Sequence, residues 1–158
     1  MSSPSVTIRL PDEAALGPCA ARLAAALPPR AFVALAGDLG AGKTTLVKAV
    51  AAAAGIDPTD VVSPTFGLIH VHGGPGGSPR LVHADMYRLA DPGELRETGW
   101  EDAVAGPGWV FVEWPERIAG ALPADRLDIT IAIDGPDSRT LTLVSRGPTH
   151  DAVIGRIG

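Results

Sequence analysis

One octapeptide constrains this chain more than anything else in it. Gly37-Asp38-Leu39-Gly40-Ala41-Gly42-Lys43-Thr44 satisfies G-x-x-x-x-G-K-[ST] without a mismatch. Its flanks fit as well. The apolar run Ala31–Ala36 leads directly into it and reads as a strand buried on both faces. The segment from Thr44 to about Ala54 reads as an apolar helix with Gly55 as its C-terminal cap. Glycines let consecutive backbone N–H groups turn inward around phosphate oxygens. The positive end of the following helix points at the same anion. Lys43 is then placed to reach the β- and γ-phosphates and Thr44 to ligate Mg²⁺, while Thr45 adds a contact toward the α-phosphate. Gly37, Asp38, Leu39, Gly40, Ala41, Gly42, Lys43, Thr44 and Thr45 therefore form the candidate nucleotide-binding set.

The rest of the chain alternates strands with helices, which predicts an α/β P-loop fold. A single central sheet, mixed and with antiparallel strands, is expected between flanking helices. Val6–Leu10 reads as a strand ended by Pro11. Asp12 can cap the helical segment carrying Leu16, Ala20, Leu23 and Leu27, with Pro18 placing the main helix start near Gly17. Val61–His72 is rich in β-formers, Gly73–Pro79 reads as a hairpin tip, and Arg80–Tyr87 as the returning strand. Asp91-Pro92-Gly93-Glu94 signals a short helix. Leu127, Ile129, Ile131 and Ile133, and then Leu141 and Leu143, alternate with polar residues around a turn at Asp134–Asp137, the pattern of an antiparallel pair. Residues 1–158 read as one domain, with a weakly patterned 147–158 tail expected to fray.

A P-loop needs an acidic partner at the end of a neighbouring strand. Glu113 ends the apolar run Trp109–Val112, and Asp85 ends Arg80–Ala84. Both are expected at the C-terminal edge of the sheet, where open α/β folds bind ligands. One can bind the metal, directly or through water, while the other orients or deprotonates the attacking water. Ser63-Pro64-Thr65-Phe66 lies where a γ-phosphate-sensing switch often sits, and Pro64 could hold the Thr65 hydroxyl toward the metal or the phosphate. His70 and His72 share a face and read as a solvated strand surface. Trp114 reads equally as a site-lining residue or as simple packing.

Composition excludes several alternatives. The chain has 13 Lys+Arg against 18 Asp+Glu, a net charge of -5, the wrong sign for gripping nucleic acid through its phosphates. It contains no Asn and no Gln, so a catalytic glutamine and the guanine-reading Asn-Lys-x-Asp motif are both ruled out. Cys19 alone can form neither an internal disulfide nor a cysteine-based zinc site, which fits a reducing cytoplasm. No membrane span or signal peptide is visible, so a cytoplasmic location without membrane attachment is expected.

Beyond the loop, Ser63-Pro64-Thr65-Phe66, His83-Ala84-Asp85-Met86-Tyr87-Arg88-Leu89 and Glu113-Trp114-Pro115-Glu116-Arg117 follow in fixed order. From about Leu10 to Val144 the chain resembles the bacterial TsaE (YjeE) family of tRNA threonylcarbamoyladenosine synthesis. The resemblance implies a Mg²⁺-dependent ATPase, feeble alone, that acts with the TsaD and TsaB proteins in modifying tRNAs that read ANN codons. It would support turnover of that complex and meet tRNA only through it. The resemblance implies ATP and Mg²⁺ as cofactors and puts phosphate binding on Gly40, Gly42, Lys43, Thr44 and Thr45. It puts magnesium on Thr44 and Glu113 and the hydrolytic role on Asp85, with Thr65. Asp85 stays a second metal-ligand candidate. Glu13 matches a stretch near the base and ribose, and Arg139 is a further candidate contact. Met86 stands where the family more often has Leu. The alternative is a small-molecule kinase on the same loop. That reading wants an arginine-bearing lid, and the arginines here are scattered.

Overall fold

Each strand-length apolar run joins one mixed sheet. The computed structural model describes residues 3–57, 68–73 and 80–157. The strands are β1 (Ser5–Leu10), β2 (Arg30–Gly37), β3 (Ile69–Gly73), β4 (Arg80–Asp85), β5 (Gly108–Glu113), β6 (Leu127–Ile133) and β7 (Arg139–Ser145). Their order is β1-β7-β6-β2-β5-β4-β3. Strands β6, β2, β5 and β4 run parallel to one another. β7 lies antiparallel to β6 and to β1, and β3 lies antiparallel to β4. The expected α/β architecture and the hairpin around Asp134–Asp137 are both present.

The helices are α1 (Leu16–Ala26), α2 (Lys43–Ala53), α3 (Trp100–Ala105) and α4 (Pro148–Ile157), with 3₁₀ turns at Glu13–Ala15, Pro92–Thr98 and Pro115–Ala121. Alternation along the strands sorts the core into two layers. Val33, Leu35, Trp109, Phe111, Leu127 and Ile129 pack with Leu23, Leu46, Val47, Val50 and Val153 of α1, α2 and α4. Phe32, Val82, Ala84, Val110 and Val112 pack on the other side with Trp100 and Ile118. Ile133, alternating in phase with the buried Ile129 and Ile131, is 48% exposed where β6 runs out past the core.

Local chemistry sets the helix ends. The Asp12 carboxylate accepts from Ala15 N–H at 3.1 Å and caps a separate 3₁₀ turn, after which α1 carries Pro18 in its first turn. That turn has no intrahelical N–H bonds to lose. At the end of α2, Ile56 N–H donates to Ala51 O and Gly55 N–H to Ala52 O, with Gly55 at φ 85°. This is a Schellman closure in which glycine supplies the left-handed residue at no steric cost. Asp91 caps its segment by accepting from Gly93 N–H, but the turn that follows is 3₁₀.

Within the expected 147–158 tail, Pro148–Ile157 does not fray but forms α4. His150, Val153 and Ile157 are its buried face. A histidine fills one of the three inward positions, so the apolar stripe is incomplete in sequence. His150 accepts from Phe32 N–H through Nε2 at 3.1 Å and donates from Nδ1 to Asp125 Oδ1 at 2.8 Å. Both ring nitrogens are thereby satisfied, and α4 is tied to the start of β2.

Asp125 also accepts from the Thr149 hydroxyl and backbone N–H. Burial pushes its carboxyl up, but the bonds from Thr149 and His150 outweigh that and hold it below the ordinary 3.8. A carboxyl depressed in the folded state adds stability that is present above its unfolded value and lost as pH falls through the folded one. Asp125→Ala, which leaves a buried imidazole N–H unpaired, should cost about 1–3 kcal/mol in urea denaturation near neutrality. The gap between wild type and variant should close as pH drops below 3.8.

Candidate functional site

The site is assembled by strand register. In the parallel part of the sheet Leu35 of β2 pairs with Glu113 of β5, and Glu113 pairs with Asp85 of β4. Both acids therefore end their strands side by side, next to the loop that leaves β2 at Gly37. Glu113 continues the Trp109 and Phe111 face, toward α2, so its carboxylate meets the first turn of that helix.

The loop itself is shaped by its glycines. A Cβ on Gly37 would come within 2.8 Å of Ile131 O, so β6 approaches there as only glycine permits. Gly42, at φ 105°, is the N-cap of α2 and sets the left-handed turn into the helix.

The side chains at the end of β2 are tightly connected. Thr44 Oγ1–H donates to Glu113 Oε2 at 2.7 Å. Lys43 Nζ donates to Gly37 O at 2.5 Å and lies 3.7 Å from the centre of the Trp114 ring. Trp114 in turn meets Tyr87, with ring centres 4.9 Å apart. Trp114 has φ 57° and ψ 51°, the one non-glycine left-handed residue among those described, and it precedes a proline. Such a conformation costs about 1–3 kcal/mol and persists only where the surroundings enforce it. It aims the indole over the lysine, which answers for Trp114 the choice between site lining and packing that its sequence leaves open.

Burial shifts the two central charges. The Lys43 ammonium, only 5% exposed, is lowered by desolvation against the opposing pull of Glu113, Glu116, Asp85 and Asp38. The Asp85 carboxyl is raised by desolvation, held back by the bond it accepts from Tyr87 N–H, and raised further by Glu113. A carboxylate destabilised in this way is a better proton acceptor than an exposed one.

Two cavities flank the loop. One, of about 380 Å³, is lined by Leu39, Gly40, Gly42, Lys43, Thr44 and Thr45, with Asp85, Glu113, Trp114, Tyr87 and Arg88 across from them. The other, of about 450 Å³, lies on the far side of Gly40–Gly42 and brings together Asp12, Glu13, Thr45, Asp137 and Arg139. Glu13 and Arg139 thus share a cavity beside the loop. Arg139 is largely engaged: it donates to Ala41 O, Gly135 O and Ser138 O at 2.9–3.0 Å. It holds the loop backbone as well as lining the cavity. Asp38 lines neither cavity, and its carbonyl accepts from Ala41 N–H. Thr65 and its Ser63–Phe66 motif lie outside the described residues, as do residues 74–79 of the expected hairpin tip. His70 and His72 are half-buried and stacked on each other 6.1 Å apart.

Sequence reasoning did not single out His83. It is fully buried, and its Nε2 lies 2.5 Å from Glu113 Oε2. Its spacing from Asp85 puts both on one face of β4, but its partner lies on another strand.

Among the described residues no three His, Cys, Asp or Glu side chains converge as a protein-only metal cage. Mg²⁺ held with a nucleotide asks for less, namely one or two protein oxygens plus phosphate and water. The Thr44 hydroxyl with the Glu113 and Asp85 carboxylates supplies hard oxygen donors of the right kind.

Comparison with known proteins gives the chain a family and a fold relative. The family described as "Threonylcarbamoyl adenosine biosynthesis protein TsaE" matches residues 10–141. The Bacillus subtilis tRNA threonylcarbamoyladenosine biosynthesis protein TsaE is 39% identical over 83% of this chain and 80% of its own length. The protein of the same name from Rickettsia bellii is 33% identical over 77% of this chain and 83% of its own. The crystal structure of Bacillus subtilis YdiB superposes with a TM-score of 0.80 at 28% identity, covering 99% of this chain and 96% of that one. With its loop, its paired strand-end acids and a match over most of its length, the chain belongs to the TsaE family of threonylcarbamoyladenosine biosynthesis proteins.

Proposed function

We propose that this chain binds ATP with Mg²⁺ and hydrolyses it, as the ATPase subunit that works with TsaD and TsaB in making threonylcarbamoyladenosine in tRNAs that read ANN codons. One observation carries the reading: Lys43, Thr44, Asp85 and Glu113 line one cavity at the C-terminal ends of β2, β4 and β5, with Thr44 bonded to Glu113. The net charge of -5 favours a subunit that reaches tRNA through protein partners. No helix among the described residues is long and apolar enough to cross a membrane, which accords with a cytoplasmic role.

In this reading the triphosphate lies along the loop, against the backbone N–H groups of Gly40–Thr45. Lys43 exchanges its bond to Gly37 O for phosphate oxygens. The base and ribose fit the cavity beyond Gly40–Gly42, where Glu13 can accept from hydroxyl or amino groups and Arg139 keeps the loop in shape. Magnesium, held through Thr44 with Glu113 beside it, would supply charge neutralisation on the phosphates. Asp85, its carboxyl raised by burial, is suited to take a proton from the attacking water. Trp114 covers Lys43 and limits water there. Free-protein turnover is expected to be slow, because a lone small domain does not close its site fully without a partner.

Lys43→Ala should abolish ATP binding in calorimetry with Mg²⁺ present; wild-type affinity in that variant would refute the assignment. Asp85→Ala should bind ATP and slow phosphate release by at least ~100-fold, the scale of a lost general base. Full turnover by the variant would move the hydrolytic role to Glu113, and label passing from ATP to a small acceptor instead of water would favour the kinase reading.

A further inference from the structure

We propose that His83 is a positioning residue for the magnesium-binding hydroxyl, acting through Glu113. The inference rests on the nucleotide-binding reading above and extends it to a side chain outside the binding set. Three observations carry it. His83 Nε2 and Thr44 Oγ1 both bond the same carboxylate oxygen, Glu113 Oε2, at 2.5 and 2.7 Å. His83 is fully buried and Glu113 is 3% exposed, so water does not compete for those bonds. Finally, among the described residues His83 Nδ1 has no hydrogen-bond partner, so Nε2 alone anchors the ring.

The geometry fixes who donates. A carboxylate oxygen only accepts, so the hydrogen on the short contact sits on His83 Nε2. The Thr44 hydroxyl spends its one hydrogen on the same oxygen. Both lone pairs of Thr44 Oγ1 are then free for a cation. Remove the imidazole and the carboxylate keeps a single fixed bond, the one from Thr44. Glu113 can then rotate, and the hydroxyl is free to turn its hydrogen toward the metal position. A buried strand-centre histidine, paired with Phe111 on β5, cannot drift with the loop; it references the loop's threonine to the sheet. Groups that orient ligands in this way typically change metal affinity by about 10-fold to 100-fold when removed.

Calorimetric titration of ATP with and without Mg²⁺ tests this without relying on turnover. His83→Phe preserves the ring's bulk and cannot donate. It should keep metal-free ATP affinity within about twofold while weakening the Mg²⁺-dependent gain by about 10-fold or more. His83→Gln, whose amide N–H₂ can occupy the Nε2 place, should recover most of that gain. An unchanged Mg²⁺ gain in His83→Phe overturns the proposal. So does an equal loss of metal-free affinity, which would mark a purely structural role, or a folded His83→Gln no better than Phe. Nitrogen NMR of the wild-type ring, which needs no variant, should find the hydrogen on Nε2; finding it on Nδ1 alone overturns the proposal as well. Absence of any ATP binding by the wild type would instead bring down the nucleotide reading on which it stands.

Discussion

Parallel pairing of β5 with β2 on one side and β4 on the other decides where the chemistry of this chain can occur. Two strands that start level and run the same way must end level. The residues that follow their apolar stretches are therefore delivered to one edge of the sheet. Glu113 stands beside Leu35 and Asp85, level with a residue two places before the end of β2 at Gly37. Shift β5 by one residue and Glu113 changes face, exchanging α2 for the α3 side of the sheet. The acid would then lose Thr44. The apolar content of β5, every residue of which is buried, is what makes such a slip unfavourable.

That edge concentrates buried charge, and each member is partnered. Lys43 holds a loop carbonyl and sits under an indole, Glu113 accepts from a hydroxyl and an imidazole, and Asp85 accepts from a backbone N–H. Removing one partner from a buried network costs more than the net contribution of the bond it made, because the group left behind stays desolvated. The site is thus held in shape before any ligand arrives. The left-handed Trp114 fits the same account, since its backbone strain is sustained by the ring contacts that cover Lys43.

Much of this was legible in sequence, for physical reasons. The loop is written in consecutive residues, and the acids follow apolar runs whose length and β-branched content mark strands. What stayed hidden depends on pairing across the chain. His83 meets Glu113 from 30 positions away. β1 joins the sheet through β7, a partnership set by hydrophobic register and by no local signal. Helix α4 is hidden in the sequence because His150 occupies an inward position that the periodicity reserves for an apolar residue, and only Asp125 and Phe32 explain why a histidine can lie there. The Arg139 grip on the loop carbonyls is equally nonlocal.

The proposed function stands on binding of a magnesium nucleotide at that one edge of the sheet. Titrating the isotopically labelled chain with ADP and Mg²⁺ while following its backbone amide resonances addresses it most directly. Large shifts are expected at Gly40–Thr45 and at the β4 and β5 ends, with α4 at the opposite edge of the sheet unmoved. Shifts confined to that opposite edge, or none at all at saturating nucleotide, would contradict it.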